Sequence, residues 1–221
     1  MGDIIQMATN GIEQFEDMFF VGSNPTYGTA VAINADPAAI AATEGMFCLN
    51  NAASANSLPN TRVCPTYIKL TTHVIGASGS NFTLKLSTDI INRYSSGGSA
   101  IAGKNTIAGA DVTRRTPKGT CYFGDLTLAA ASSEVQVGQA TVHWKTIAQS
   151  VGDVYMFTFG DMPIPSALVS AAAATAQTYH FPLSPVFLKK GGSLIIQPLS
   201  ASAASTAATF LVEVGWIEYK R

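Results

Sequence analysis

Three histidines, three cysteines and a sparse set of acids are the residues whose types could support chemistry in this chain. His73, His143 and His180 are the only imidazoles, and a metal held by them would give the enzymatic form of a β-barrel or sandwich. No H-x-H or C-x-x-C pair accompanies them, so separate strand positions, surface or core, are expected for His73 and His143. Cys48, Cys64 and Cys121 are odd in number and lie far apart among apolar or aromatic neighbours. Small buried thiols are expected from them, with no disulfide framework.

Hydrolysis of a glycoside would need a pair of facing carboxyls drawn from Glu134, Asp153, Asp161, Glu213 and Glu218. Turn and strand-edge positions explain these acids better. Gly76-Ala77-Ser78-Gly79 and Ser96-Gly97-Gly98-Ser99 come nearest to a nucleophile elbow and read as turns. Gly103-Lys104-Asn105-Thr106 lacks the glycine spacing of a phosphate loop, and Asn105 separates its Lys from its Thr. Asn81-Phe82-Thr83 matches a glycosylation sequon, which has meaning only in an exported protein. Asp3, Glu13, Glu16 and Asp17 precede the first basic residue, Arg62, which is the reverse of a positive leader, so Sec-type export is not expected. No catalytic, cofactor-binding or metal-binding residue is assigned, and the expected protein is not an enzyme.

The elements that would position such groups are strands. Ile68, Leu70 and Val74 alternate with Lys69, Thr71 and His73, and Phe82, Leu84, Leu86 and Ile90 alternate with Thr83, Lys85, Ser87 and Asp89. With the turn at residues 76–81 between them, the two runs predict a hairpin. Phe210, Val212, Val214 and Trp216 predict a closing strand covered on both faces. Further strands are expected at 46–49, 121–128, 135–147, 154–159, 186–188 and 194–199, about nine in all, more than the usual sheet holds. The apolar phase switches at Gly138, predicting a bulge, and Pro198 predicts an edge strand or an early end, with Lys189-Lys190-Gly191-Gly192 as the turn before it. Small-residue stretches at 52–59, 95–109, 129–133 and 201–208 read as loops. Helical spacing of Ile4, Ala8, Ile12, Phe15 and Phe19, and the Ala-rich run 166–176, predict short helices.

Strands in this number without long helices predict an all-β fold, a two-sheet antiparallel β-sandwich of jelly-roll type with an N-terminal arm or short helix. The expected organisation is an arm over residues 1–42 and a β-domain over 43–221. Of the 221 residues, 12% are charged, about half the usual share, with Lys+Arg 13 against Asp+Glu 14. A net charge of -1 and a pI near 6.3 give no basic excess for nucleic acid, and the apolar residues come in runs too short to span a membrane.

The leading segment, the Ala/Gly/Ser/Thr-rich strands and the closing pattern from Ser184 to Ile196 followed by Phe210 to Tyr219 resemble the small jelly-roll structural proteins that decorate or cement capsids of tailed bacteriophages. The resemblance implies a non-enzymatic virion protein, assembled in the host cytoplasm, that forms a homo-oligomer, a trimer, and binds the major capsid protein or other virion proteins. Independently, a surface hidden by identical copies can dispense with charge. The expected interface residues are Ile4, Ile12, Phe15, Phe19 and Phe20 on the arm and Arg114-Arg115 in a basic loop. The alternatives are a glycan-binding sandwich at a receptor-binding tip, using Tyr94 or Tyr122, and the shell protein itself.

Overall fold

The computed structural model describes residues 19–24, 31–32, 42–52, 61–74, 81–106, 116–143, 151–160, 178–200 and 209–220. Among these residues there are thirteen strands and no helix: β1 (Phe19–Ser23), β2 (Val31–Ala32), β3 (Glu44–Asn51), β4 (Thr61–Val74), β5 (Asn81–Asp89), β6 (Tyr94–Ile101), β7 (Lys104–Asn105), β8 (Gly119–Leu128), β9 (Val135–His143), β10 (Val154–Phe159), β11 (Thr178–Leu183), β12 (Ser193–Ser200) and β13 (Thr209–Lys220). They form two packed sheets. The first has the order β11-β10-β4-β13-β1-β7, with β2 also on β13, and the second the order β6-β8-β3-β12-β5-β9.

The alternation of apolar residues places the core between the sheets. Ile68, Leu70, Val212, Val214 and Trp216 of the first sheet meet Phe47, Leu49, Leu84, Leu86, Phe123, Leu194 and Ile196 of the second in one buried cluster. In β3 and β12 the residues between these, Cys48 and Ile195, face the other way and are also fully buried, in a smaller cluster with Leu126 and Leu128 flanked by Tyr94 and Tyr122. Cover on both faces explains why Met46–Leu49 and Leu194–Ile196 are unbroken apolar runs.

Several expectations are corrected. β4 and β5 are not a hairpin: β4 pairs with β10 and β13 in one sheet, β5 with β12 and β9 in the other. Alternation within each strand cannot distinguish two strands of different sheets from two neighbours in one sheet. A register shift leaves His73 between Thr72 and Val74 opposite consecutive β13 residues, so the phase changes and Val74 is 46% exposed. Ile90 lies beyond the end of β5 and is 67% exposed. The loop expected from residue 95 is strand β6, and only an isolated bridge, Val63 to Leu188, marks the strand expected at 186–188. β10 and β11 run parallel, an exception to the otherwise antiparallel pairing.

The bulge at Gly138 is present: Leu86 faces Gly138 while Ser87 faces Gln136, leaving Val137 as the extra residue. Pro198 does not put β12 at an edge. β12 pairs with β5 through Ser200, but its ladder to β3 stops at Ile196, and the buried Gln197 side chain instead donates to the Glu44 carbonyl at 3.0 Å. Within the segment expected as an arm over residues 1–42, Phe19–Ser23 form β1, which lies between β13 and β7 in the first sheet, and most of the other residues lie outside the described ones. Residues 144–150 and the run expected as a helix at 166–176 lie outside the described residues.

Trp216 seals one end of the sandwich. Its indole stacks on Phe20 with ring centroids 5.8 Å apart. Gly103 lies against the six-membered ring of the indole so closely that a methyl group there would overlap it. Gly103→Ala is therefore expected to overpack this end, costing about 1–3 kcal/mol. Thermal melting monitored by circular dichroism should show the midpoint falling by roughly 2–12 °C; an unchanged midpoint would mean that the indole moves aside freely.

Candidate interaction surface

Several ionisable groups among the described residues hold loops to the sheets. Arg93 is fully buried where the chain turns from β5 into β6. Its Nε donates to the Ala129 carbonyl at 2.6 Å, Nη2 to the Ala42 carbonyl at 2.7 Å, and Nη1 to Asp89 Oδ2 at 3.1 Å and Glu134 Oε2 at 2.9 Å. Asp89 accepts in addition from the Ser132 and Ser133 amides at 3.0 and 3.1 Å. Lys85 pairs with the second oxygen of Glu134. Burial alone would raise the Asp89 carboxyl, but the Ser132, Ser133 and Ile91 amides and the Arg93 guanidinium hold it below the usual range. Glu134 is likewise opposed by burial and lowered by Lys85 and Arg93. A fully buried guanidinium with four such bonds presents no donor to a substrate; its role is to tie residues 42, 89–93 and 129–134 together.

Glu218, another of the acids that could have served in hydrolysis, is fully buried in β13. Its Oε1 accepts from the Lys118 and Gly119 amides, each at 2.7 Å, and from Trp216 Nε1 at 3.1 Å. Because β13 and β8 belong to different sheets, this carboxyl links the two layers. Glu213 lies on the outer face of the first sheet, where Tyr67 Oη donates to it at 2.8 Å and Lys69 approaches at 3.9 Å. Asp161 lies outside the described residues.

The histidines do not converge. His143 is in the second sheet, His73 and His180 in the first, and His180 Nε2 is 2.8 Å from Thr158 Oγ1. Among the described residues no group of three or more His, Cys, Asp or Glu could hold a metal ion. The cysteines are free and buried. Burial pushes the Cys48 and Cys64 thiols up to about 12, against the smaller opposing effects of Arg93 and Asn50 at Cys48 and of Tyr219 and Arg62 at Cys64; Cys121 is also raised. At pH 8 roughly one such thiol in ten thousand is ionised, too few for a nucleophile. Native protein should therefore react with a thiol-specific disulfide reagent on the order of a thousand times slower than denatured protein, in which all three cysteines react. A rapid single equivalent from the native fold, followed by absorbance, would contradict this.

The outer face of the first sheet carries a concavity of about 420 Å³ along β1, β4, β7 and β13. Tyr67 crosses β13 at Gly215, where a Cβ would meet its ring, and Val21, Lys104 and Glu213 line the rest. Burial and the neighbouring Glu213 carboxyl raise the Tyr67 hydroxyl, so it remains a donor at neutral pH. This is a shallow, amphipathic surface, with Val21 38% exposed.

Tyr94 and Tyr122, the pair considered for sugar binding, do come together on the second sheet. They stack with centroids 3.5 Å apart and planes 5° from parallel, so each ring spends one face on the other. Of the residues expected at an interface, Phe20 is buried against Trp216 and Phe19 is half-buried in β1 opposite Ile217, so both serve the body's own packing. Ile4, Ile12, Phe15, Arg114 and Arg115 lie outside the described residues.

Sequence reasoning missed the edges of the second sheet. Its outermost strands, β6 (YSSGGSAI) and β9 (VQVGQATVH), contain no Asp, Glu, Lys or Arg, and Val135 is 58% exposed. The signal was present as an absence of charge, but which runs lie at an edge is decided by pairing. Comparison with protein-family models, curated proteins and solved structures finds no match.

Proposed function

We propose that this chain is a non-enzymatic structural protein of a tailed-phage virion, a self-associating β-sandwich that binds the capsid surface and stabilises or decorates it. The observation that carries the reading is the uncharged character of both edges of the second sheet. Soluble monomers usually guard such edges with Lys, Pro or covering loops, whereas a subunit whose edges meet other subunits has no need to. The low charge of the whole chain points the same way, because contact with copies replaces ionic solubility. The ion pairs present are turned largely inward, where they fix loops and give a rigid body suited to repeated assembly.

Jelly-roll connectivity is part of the proposal. The run β3-β12-β5-β9 returns a late strand to lie between two early ones, as Greek-key folds do. β6 and β8, added on the outer side of β3, are an extension of that plan.

Electron microscopy of phage particles carrying a tagged copy tests the reading: density for the chain at regular capsid positions is expected, and particles without it would refute it. The glycan-binding alternative rests on the stacked Tyr94 and Tyr122. It requires hits on a glycan array that disappear in Tyr94→Ala, whereas the proposal predicts none.

A further inference from the structure

We infer that β9 is a strand-addition edge at which a second copy of this chain pairs antiparallel to it, joining two six-stranded sheets across a twofold axis. The inference rests on the proposed self-association and names the surface responsible.

Among the described residues the two sheets end in four strands, β11 and β7 in the first and β6 and β9 in the second. Three of these are poor templates. β7 has only two residues. β11 has six, is paired in parallel to β10, and contains Pro182, which has no amide hydrogen to give. β6 is interrupted by two register shifts within eight residues, and Gly97 and Gly98 have positive φ, so its backbone groups do not form a straight ladder.

β9 differs on every count. Its bulge is confined to Val137, and from Gly138 to His143 it runs in unbroken register against Leu86 to Asn81 of β5. It contains no proline and no acidic or basic residue apart from the terminal His143. Lys85 of β5, opposite Gln139, is neutralised by Glu134. Along that stretch every second residue directs its N–H and C=O to β5, and the intervening ones direct theirs away from the sheet.

A second copy is the fitting occupant because an antiparallel strand edge is complementary to itself. Rotation by 180° sets donors opposite acceptors, which is the requirement of a twofold interface. With a net charge of -1, two chains approach without appreciable repulsion. A twofold contact of this kind can join two single chains or two rings.

The test is the mass of the full chain by light scattering on a sizing column, with Ala140→Pro, Thr141→Pro and Thr141→Lys beside the parent. Adjacent residues direct their amides to opposite sides, so one proline variant breaks the bond to β5 and the other only the bond outward. The expected result is that the outward proline and Thr141→Lys halve the mass while their melting midpoints stay within a few degrees of the parent. Amide exchange over residues 138–143 should also slow as concentration rises in the parent and not in these variants. An oligomer of unchanged mass in both would overturn β9 as the contact while leaving self-association in place. A parent that is monomeric at 100 µM would overturn both.

Discussion

Arg93→Ala is expected to produce the largest single loss of stability available outside the apolar core. The substitution leaves Asp89 and Glu134 facing each other without the guanidinium between them, and leaves the Ala42 and Ala129 carbonyls without a donor. Removing one partner from a buried ionic network costs about 3–5 kcal/mol, most of it the penalty of the charges left behind. For a chain of this length that corresponds to a fall in melting midpoint of roughly 6–20 °C. Arg93→Lys should recover only part of it, because one ammonium cannot reach four acceptors set around a planar fork.

The pH dependence of the same pair of proteins gives a second readout. In the parent, the Asp89 and Glu134 carboxyls titrate below their unfolded values. Their contribution is therefore present above pH about 4 and is lost as pH falls through the folded values. In Arg93→Ala the guanidinium no longer lowers them, so the gap in midpoint between variant and parent should hold from pH 7 to about 4 and narrow as pH falls below 4. A gap that stays constant with pH would mean that packing, and not charge, made Arg93 important.

Glu218→Ala is expected to follow closely. Three N–H donors converge on one carboxyl oxygen, two from the start of β8 and one from the Trp216 ring. Each buried donor left unpaired costs about 1–3 kcal/mol, so a total of about 3 kcal/mol or more is expected, less where water enters. Glu218→Gln keeps one acceptor oxygen and should lose less. The distinguishing sign is local: amide exchange should accelerate first at Lys118 and Gly119, where the second sheet is fastened to the first, and urea titration should give the global loss. Equal stability of Glu218→Ala and the parent would remove the link between layers from the account.

Much of the fold is legible where burial is one-sided or complete. The alternation in β5 and β13 and the apolar runs in β3 and β12 mark strands because each side chain reports the face it occupies. The Gly138 phase switch is legible for the same reason, since a bulge turns the pattern over. Partners are not legible. Nothing in β4 or β5 records that they belong to different sheets, and β6 has a loop's composition, becoming a strand through its pairing with β8. Phe19 fits a helical spacing with Ile12 and Phe15 equally well, and the β1 pairing to β13 is what decides.

The polar networks were half visible. Glu134 and Glu218 stand out as acids in an acid-poor chain, but their partners Arg93, Lys118 and Gly119 are distant in sequence, and all three donors to Glu218 are backbone or ring N–H groups that no side-chain pattern announces. Asp89 and Arg93 are four residues apart around a turn, where no periodicity singles them out. The interface residues expected on the N-terminal segment were chosen for being apolar, a property that Phe20 uses in the protein's own core.

Sedimentation velocity of the purified chain between 1 and 100 µM tests the central claim most directly, that the uncharged sheet edges of this sandwich are covered by copies of itself. A species of at least two chains, increasing in population with concentration, is the result predicted; a single 23.1 kDa species throughout the range would contradict it.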